Sequence, residues 1–507
     1  DSGQNQWTRQ HYNAAVGYDG TFGRHVVSAS AGILYNIYKT DFSQNGAAGK
    51  MVEYRHMTVN GAVNYAYDDR YVATFSFAAD GSDNYRPGNR WGFYPSLGLG
   101  WIVSRERFLR DSRTVDLLKL RASVGKNGWD PMGEMRYLWE GYYTGRGGLN
   151  TGNSEHTWHG GTALSYLPNP GIFAEKSLKY DAGIDLRLWN RLALNVDLFL
   201  EKRSGIVTQD WMIPGASGVD NPPYRNIGRM TNKGFEVQLS WADRIGDFNY
   251  ALTGMASYNS NKVDYMAEVV TVPTAARTGR RLDALFGYVA DGFYDWDDFD
   301  VGGELREGLP KPTFGAVQPG DIKYKNLNGD TVIDENDQTA IGDSYLPKLQ
   351  YSFSLAASYK GFDLFALFQG AAGRDVNLLD APLQNIAFRD NGNVYGIAEG
   401  RWAYYPEQGI DTRATATYPR LSLQDNSNNY RTLEAQRRLP QAAQRGTGIH
   451  FRAAVAEQGR HLEDPHLPER CQPADRQQAD ARLRHRPRNP FRPPGAEILQ
   501  PRTDVTF

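Results

Sequence analysis

The chain has 507 residues, a formal net charge of −2 and a mean hydropathy of −0.59, and it is rich in Gly and Tyr. This charge balance gives no reason to expect a nucleic-acid partner, and the one cysteine, Cys471, excludes an intrachain disulfide. No apolar run reaches 18 residues and the first residues are polar, so the sequence predicts neither a transmembrane helix nor a signal peptide.

The first clear strand patterns lie between residues 70 and 125. "RYVATFSFAAD" (70–80), "YPSLGLGWIVS" (94–104) and "LLKLRASVG" (117–125) alternate between apolar and small or polar side chains, which is typical of strands with two unlike faces. The loop sequence between the first two is rich in aromatic residues. These residues, Tyr85, Trp91 and Tyr94, fit stacking on a sugar ring, and they fit packing in a turn or at a membrane interface equally well.

A long polar stretch, rich in Gly, Asn, Ser and Pro, follows at residues 146–172 and predicts a long loop. After it comes the clearest single strand, "LALNVDLFLEK". Its residues Leu194, Val196 and Leu198 share one face, while the residues between them are mostly polar. Further strands are predicted at "GFEVQLSW" (234–241) and "YALTGMASYNS" (250–260).

A second long loop, rich in Asp, Gly and Pro, is predicted at residues 295–345, and it contains "NLNGDTVIDEND". The spacing of this segment resembles a calcium loop, with oxygen ligands at positions 1, 3, 5, 7, 9 and 12. The candidate Ca²⁺ ligands are therefore Asn326, Asn328, Asp330, the backbone carbonyl of Val332, Asp334 and Asp337. Asn at position 1, Thr at position 6 and Asp at position 12 depart from the pattern, so a turn in which Asn and Asp side chains cap the backbone stays open as the alternative.

The segment "YSFSLAASYKGFDLFALFQG" (351–370) predicts a hairpin. Tyr351, Phe353 and Leu355 lie on one face of the first strand, and Lys360-Gly361 supplies the tight turn before the second strand. Together the patterns predict that residues 11–371 form consecutive antiparallel strands of one wall.

The predicted strands are often near ten residues long, and their second face is small or polar. A tilted strand of about 9–11 residues crosses a bilayer, and a polar lumen with a lipid-facing exterior produces this alternation. A soluble sandwich, propeller or solenoid is the alternative. The combination of tight turns with very long loops favours the membrane barrel.

Four blocks carry a resemblance to a known family: residues 71–104, residues 169–207, "NIGRMTNKGFEVQLSW" (226–241), and residues 319–373 with "LFGYVADGFYD" before them. They stand in family order and resemble the SusC/RagA-type TonB-dependent transporters of Bacteroidota outer membranes. The resemblance covers most of residues 50–375.

The resemblance implies an all-β fold, namely part of a 22-stranded transmembrane β-barrel with a plug inside it, and a transporter instead of an enzyme. It implies TonB-dependent import of oligosaccharides or peptides across the outer membrane of a Gram-negative bacterium, with a SusD-like surface lipoprotein and the TonB–ExbB–ExbD system as partners. Signal peptide, TonB box and plug do not appear in the sequence, so we expect a barrel fragment that is inactive by itself. A passive porin-like barrel and a secreted carbohydrate-binding β-protein are the alternatives.

The amino-acid composition of the sequence changes after residue 432. No Tyr follows Tyr430 and no Lys follows Lys360, while Arg, Gln and Pro dominate. Permitted codons for residues 433–451, read one base later, encode "WKRNDGYLRLRNVELGYT", which resembles a strand pair of the family. We therefore predict a partial barrel at 1–432, a frameshifted tail at 433–496 and a remnant of the closing strand at 497–507. A genuine Arg-rich disordered tail is the alternative.

Overall fold

The computed structural model describes residues 7–40, 52–130, 137–141, 143–151, 157–164, 166–214, 221–270, 272–375, 394 and 396–421. The predicted frameshifted tail and closing remnant lie outside the described residues. Within the described part of the chain, no helix is long and apolar enough to cross a membrane.

Strands and short 3-10 turns make up the regular structure of the described residues. The strands are β1 (Trp7–Phe22), β2 (His25–Thr40), β3 (Val52–Tyr67), β4 (Tyr71–Ser82), β5 (Trp91–Ile102), β6 (Val115–Trp129), β7 (Tyr143–Thr151), β8 (Thr157–Leu164), β9 (Glu175–Leu188), β10 (Leu192–Gln209), β11 (Tyr224–Ile245), β12 (Phe248–Tyr265), β13 (Leu285–Gly287), β14 (Ala290–Phe293), β15 (Lys311–Pro312), β16 (Ile322–Tyr324), β17 (Val332–Ile333), β18 (Thr339–Gly342), β19 (Leu349–Tyr359), β20 (Phe362–Ala372), β21 (Tyr404–Tyr405) and β22 (Ile410–Asp411). The 3-10 turns are Val103–Arg105, Pro273–Ala275, Trp296–Asp298, Glu335–Asp337, Gly396–Gly400 and Pro406–Gln408.

Twelve of these strands form one antiparallel sheet, which we call the wall. Its order is β1-β2-β3-β4-β5-β6-β9-β10-β11-β12-β19-β20, so each strand pairs with the next one along the chain once the long connections are left out. The prediction of consecutive antiparallel strands across residues 11–371 is confirmed, with wall strands from Trp7 to Ala372. The two predicted loops hold additional short strands: the β7–β8 hairpin overlaps residues 146–172, and β15 to β18 lie within 295–345.

The pairing register gives the wall one continuous apolar face. Val196 of β10 lies opposite Ile184 of β9 and Val237 of β11, and the same face continues through Leu120 of β6 to Trp101 of β5. These apolar side chains do not pack into a core, since Leu198 is 57% exposed. A sheet this long with one exposed apolar face and one polar face suits a lipid boundary on the apolar side.

The strands of the wall end at two edges. These edges differ in the length of the connections between strands. At one edge, which we call the short-turn edge, β1–β2, β3–β4, β9–β10, β11–β12 and β19–β20 are joined by two or three residues. The predicted turn at Lys360-Gly361 lies there, and both residues have positive φ (45° and 92°), as the two central positions of a tight hairpin turn require. The longer β5–β6 connection, residues 103–114, is also at this edge. Residues 130–174 and 266–348 connect strands at the opposite edge.

Most fully buried side chains belong to the long connections. One cluster joins Tyr288, Ile322, Tyr324 and Ile333, all within residues 266–348. A second cluster joins Tyr85, Leu138 and Ile172, which come from the β4–β5 and β6–β9 connections. The long connections therefore pack like small soluble cores at one end of the wall, whereas the wall depends mainly on its backbone ladder.

Candidate functional site

The polar face of the wall carries a charged band on β6, β9 and β10. The guanidinium of Arg121 donates to Asp197 Oδ2 at 2.6 Å, and it approaches Asp181 and Asp185 at 3.4 Å. Lys179 lies 4.0 Å from Glu201 in the same band. Because these ion pairs join neighbouring strands, they hold the wall strands together on this face. The band keeps an excess of acidic groups, since Arg121 alone contacts three aspartates.

Gly183 makes room for this ion network. It lies between Arg121 and Asp197 in the ladder, and a Cβ placed on it would come within 2.6 Å of both the Arg121 guanidinium carbon and an Asp197 carboxylate oxygen. The guanidinium thus lies flat across the wall and does not extend away from it. A larger residue at this position would push the arginine out of its pairing.

The polar face is largely uncharged on both sides of the charged band. Thr74 donates to Asn64 at 2.8 Å and the hydroxyls of Ser76 and Ser96 lie 2.6 Å apart. Small hydroxyl and amide side chains offer many weak hydrogen bonds and no fixed charge. Such a surface offers hydrogen-bond donors and acceptors to uncharged polar molecules.

The β4–β5 connection is built around the buried Tyr85. Its ring is 2% exposed and its hydroxyl donates to Asp130 at 2.9 Å, so the turn-packing interpretation holds for this residue. Burial raises the pKa of Tyr85, with Asp130 adding to the effect. Trp91 is 58% exposed on the apolar face of β5, and Tyr94 is buried on the polar face. The three aromatic residues therefore do not form one stacking platform.

Two long segments of the chain are fastened together at the same end of the wall. Arg420 donates to Asp321 at 2.7 Å and its backbone amide donates to Gly320 at 2.9 Å. The Trp402 ring covers Gly320, which has a φ of +87°. We call these contacts between residues 285–325 and residues 396–421 the clasp. Burial raises the pKa of Asp321, and the neighbouring Arg420 opposes that rise.

The outer part of the clasp is electrostatic and more exposed. Arg413 stacks over the Tyr404 ring at 3.9 Å and approaches Asp295 at 3.3 Å and Asp411 at 2.8 Å. Asp295 also begins the 3-10 turn at residues 296–298, where it forms a reciprocal capping box with Asp298. Asp295 and Asp298 thus have structural partners in this turn.

The six predicted calcium ligands lie in one turn system between β16 and β18. Asn326 accepts from the Gly329 amide at 2.6 Å, and Asn328 accepts from the Asp330 amide at 3.1 Å. Asp330 in turn accepts from the amide of Val332 at 2.8 Å. This is the chain of local side-chain to backbone bonds that characterises Asx turns.

Asp334 and Asp337 bracket a 3-10 turn at Glu335–Asp337. Asp337 is fully buried, and its carboxylate accepts from the amides of Leu327 at 2.7 Å and Asp334 at 3.0 Å. In the described part of the chain, no group of three or more His, Cys, Asp or Glu side chains is arranged to hold a metal ion. Calcium binding by this loop stays a prediction.

Two features of the structure were not predicted from the sequence, the ion network of Arg121 and the clasp. Arg121 appeared in the sequence only as one residue of a strand, and the Asp321–Arg420 pair joins residues 99 positions apart. For Arg121 the sequence held a signal. The alternation places a basic residue on the small or polar face of β6 and acidic residues on the same face of β9 and β10. For the clasp none exists, since residues 396–421 have no periodic pattern.

Comparisons with known proteins agree with this architecture. Residues 1–369 match the family model described as TonB dependent receptor-like, beta-barrel. TonB-dependent receptor P26 of Formosa agariphila is 30% identical over 358 residues, which cover 67% of this chain and 34% of that protein. TonB-dependent receptor SusC of Bacteroides thetaiotaomicron is 27% identical over 329 residues, which cover 60% of this chain and 31% of SusC.

Among solved structures, the RagAB peptide transporter superposes with a TM-score of 0.60 at 19% identity, covering 83% of this chain and 46% of that chain. The chain spans about a third of the length of the curated relatives it matches. The predicted resemblance to SusC/RagA-type proteins is confirmed at the level of family and fold. The extent of the match, together with a wall that has one continuous apolar face, means that this chain belongs to the TonB dependent receptor-like β-barrel family.

Proposed function

We propose that this chain is part of a TonB-dependent importer of oligosaccharides or peptides in the outer membrane of a Bacteroidota-like Gram-negative bacterium. In this proposal a SusD-like lipoprotein covers the outer mouth and the TonB–ExbB–ExbD system supplies energy. The chain contributes part of the barrel wall and the packed connections at one end of it.

The observation that carries the proposal is the pairing of two unlike faces along the whole wall. The apolar face is unbroken through Val16, Val63, Leu99, Leu198 and Phe353, which are all well exposed and need a nonpolar environment. The face behind them offers hydroxyl, amide and paired charged groups. Water-filled passage on one side and lipid on the other satisfy both faces at once.

The same polar face supports the proposed substrate class. A face whose charged groups lie in ion pairs with an excess of carboxylates, and whose remaining groups are mostly hydroxyls and amides, favours neutral polar cargo over a highly anionic one. Oligosaccharides and short peptides both meet that condition. The packed long connections, fixed by the clasp, are then the part of the chain nearest the outer mouth, because outer-membrane barrels carry their long loops outside.

Uptake in living cells tests the proposal. The complete gene is deleted in its host, and growth is measured on a panel of oligosaccharides and on peptides as sole nutrient. We expect growth on one substrate group to be lost and to return with the intact gene. Removal of TonB should abolish the same growth, whereas a passive porin-like barrel would keep it.

Heat-modifiable gel migration separates the remaining alternative. A membrane barrel stays folded in detergent until it is heated and then shifts its migration, and it fractionates with outer membranes. A secreted carbohydrate-binding β-protein would appear in the medium and would show neither behaviour. Loss of growth without membrane fractionation would contradict the proposal.

A further inference from the structure

The connection at residues 103–114 differs from the other turns at the short-turn edge. It is far longer, and four arginines with one exposed phenylalanine stand in "SRERFLRDSR". Phe108 is 71% exposed. Hydrogen bonds from Leu109 and Arg110 amides to the Glu106 carbonyl keep this turn compact.

Glu106 fixes the side of the wall on which this connection lies. Its carboxylate accepts from the Tyr71 hydroxyl at 2.7 Å and from the Trp101 indole at 3.1 Å. Tyr71 and Trp101 are opposite one another on the apolar face. Arg70 also donates to this carboxylate, at 3.2 Å. The contacts with Tyr71 and Trp101 place Glu106 next to the apolar face. These two hydrogen bonds also lower the pKa of Glu106 and keep it ionised.

The arginines of the connection are not all used internally. Arg105 pairs with Asp69 at 2.7 Å, and Arg110 lies 3.8 Å from Asp111 with both side chains mostly exposed. Arg107 and Arg113 are exposed and have no ion pair with any other residue that the structure describes. The connection thus presents surplus positive charge beside an exposed aromatic ring, immediately next to the lipid-facing surface.

We propose that residues 103–114 form a docking site for the headgroup of an anionic glycerophospholipid in the leaflet at the short-turn edge. Arg107, Arg110 and Arg113 pair with the phosphate, and Phe108 enters the region between headgroup and acyl chains. Guanidinium groups bind phosphate in a planar, bidentate way, and aromatic rings favour this level of a bilayer. The inference rests on the proposed membrane placement of the wall.

Charge complementarity and position select this occupant. A basic segment beside a membrane is attracted to anionic lipid, and an aromatic residue next to it adds apolar contact. In outer-membrane barrels the short turns face the periplasm, where the leaflet consists of glycerophospholipid. An acidic periplasmic protein is the competing partner, and it would need neither Phe108 nor a location next to the apolar face.

Native mass spectrometry of the complete gene product, purified from membranes and exchanged into mixed phosphatidylglycerol and phosphatidylcholine micelles, tests the site. We expect the unmodified protein to retain phosphatidylglycerol preferentially. The variant R107Q/R110Q/R113Q should lose that preference. At low salt, the affinity for phosphatidylglycerol should fall about fivefold for each arginine removed. R107K/R110K/R113K, which keeps the charge, should retain much of it.

The matched control is R9Q/R86Q/R280Q, which removes the same charge from exposed arginines at the other end of the wall. It should leave the lipid preference unchanged. Equal loss in both triple variants, or no preference in the unmodified protein, overturns the inference. Displacement of the lipid by millimolar inorganic phosphate would assign the site to free phosphate instead, and binding of acidic protein without lipid would assign it to a protein partner.

The two proposals fail in different ways. If the unmodified protein is heat-modifiable and fractionates with membranes but shows no lipid preference, the docking site is wrong and the importer proposal stands. If the unmodified protein neither enters membranes nor migrates as a folded barrel, the importer proposal fails and the docking site fails with it.

Discussion

The wall and the clasped connections are built by opposite uses of the same amino acids. In the wall, large apolar side chains such as Leu99, Leu198 and Phe353 are well exposed, and an unbroken ladder of backbone hydrogen bonds holds the strands. In the connections, Tyr294 and Ile322 are almost completely buried, and most strands are only two to four residues long. The wall exposes apolar side chains, as a surface in contact with lipid does, and the connections bury them, as a water-soluble core does.

This difference decides what stabilises each part. Within lipid, apolar contact between side chains gains little over contact with acyl chains, so the wall depends on satisfied backbone groups. In water, burying apolar area is the main favourable contribution, so the connections depend on their small cores and on the Asp321–Arg420 pair. Substitutions should therefore harm one region and spare the other.

A charge on the apolar face of the wall should have the largest effect. Val196→Arg faces lipid in the proposed membrane, and the cost is about 2–4 kcal/mol if the residue lies near the midplane. We expect loss of the heat-modifiable folded form. Asn195→Arg, one residue away on the polar face, should fold normally. Equal tolerance of both variants, or a soluble core around Val196, would show that the apolar face is not a lipid boundary.

Removing Arg420 should open the clasp and leave the wall intact. Arg420→Ala leaves the buried Asp321 carboxylate without its cation. Removing one partner of a buried ion pair costs about 3 kcal/mol when, as here, one partner is only partly buried. Limited proteolysis should cut within residues 396–421 more quickly, while heat-modifiable migration stays unchanged. Arg413→Ala, which removes the more exposed pairs with Asp411 and Asp295 and the contact with Tyr404, should give a much smaller change in proteolysis. Global unfolding of the Arg420 variant would contradict the separation of the two regions.

A pair of glycines separates packing from backbone strain in the connections. Gly320 and Gly329 have similar φ values of +87° and +80°, but only at Gly320 would a Cβ collide, 2.5 Å from the Trp402 ring. Gly329→Ala should cost about 1 kcal/mol from its left-handed backbone alone. Gly320→Ala should cost about 1 kcal/mol more because Trp402 must move. Proteolytic protection of residues 396–421 measures the difference, and equal protection in the two variants would argue against the Trp402 contact.

Much of the wall could be predicted from the sequence, and little of the clasp could. Alternation with period two identified strands such as β10, and Lys360-Gly361 identified a hairpin turn, because both signals are local. The partners of Asp321 and Gly320 lie about a hundred residues later, in a segment without periodicity. The loop at residues 326–337 was recognised by spacing, yet spacing alone does not distinguish Asx turns from metal ligation, since both use the same oxygens.

Two carboxylates in the connections should respond to pH in opposite directions. Burial raises the pKa of Asp321 above its usual value, so the folded clasp takes up a proton more readily than the open one and becomes more stable as pH falls through that window. At Asp343 burial also disfavours ionisation, but hydrogen bonds from Lys348 and Arg281 outweigh it and lower the pKa. That contribution is lost as pH falls through the lowered pKa.

The variants Asp321→Asn and Asp343→Asn test these signs. Proteolytic protection of residues 266–348 is measured between about pH 3 and 7, where carboxyl groups titrate. Asp321→Asn should remove the gain at lower pH, and Asp343→Asn should remove the loss. The same pH profile in both variants and in the unmodified chain would show that neither carboxylate controls the stability of the connections.

Calcium should have the smallest effect, confined to the turn system of residues 326–337. The ligand set departs from a strong calcium loop, so we expect a dissociation constant of about 1 mM, and ~5 mM Ca²⁺ would then stabilise the folded loop by about 1 kcal/mol. Proteolytic protection with Ca²⁺ and with Mg²⁺ measures this gain. D330N/D334N should abolish the response to Ca²⁺, while Asp297→Asn, outside the loop, should keep it. Asp337 is left unchanged because its buried carboxylate closes the turn through backbone amides. If Ca²⁺ gives the unmodified chain no added protection, the hydrogen-bonded turn alone accounts for the spacing of these residues, and the connections then need no ion for their stability.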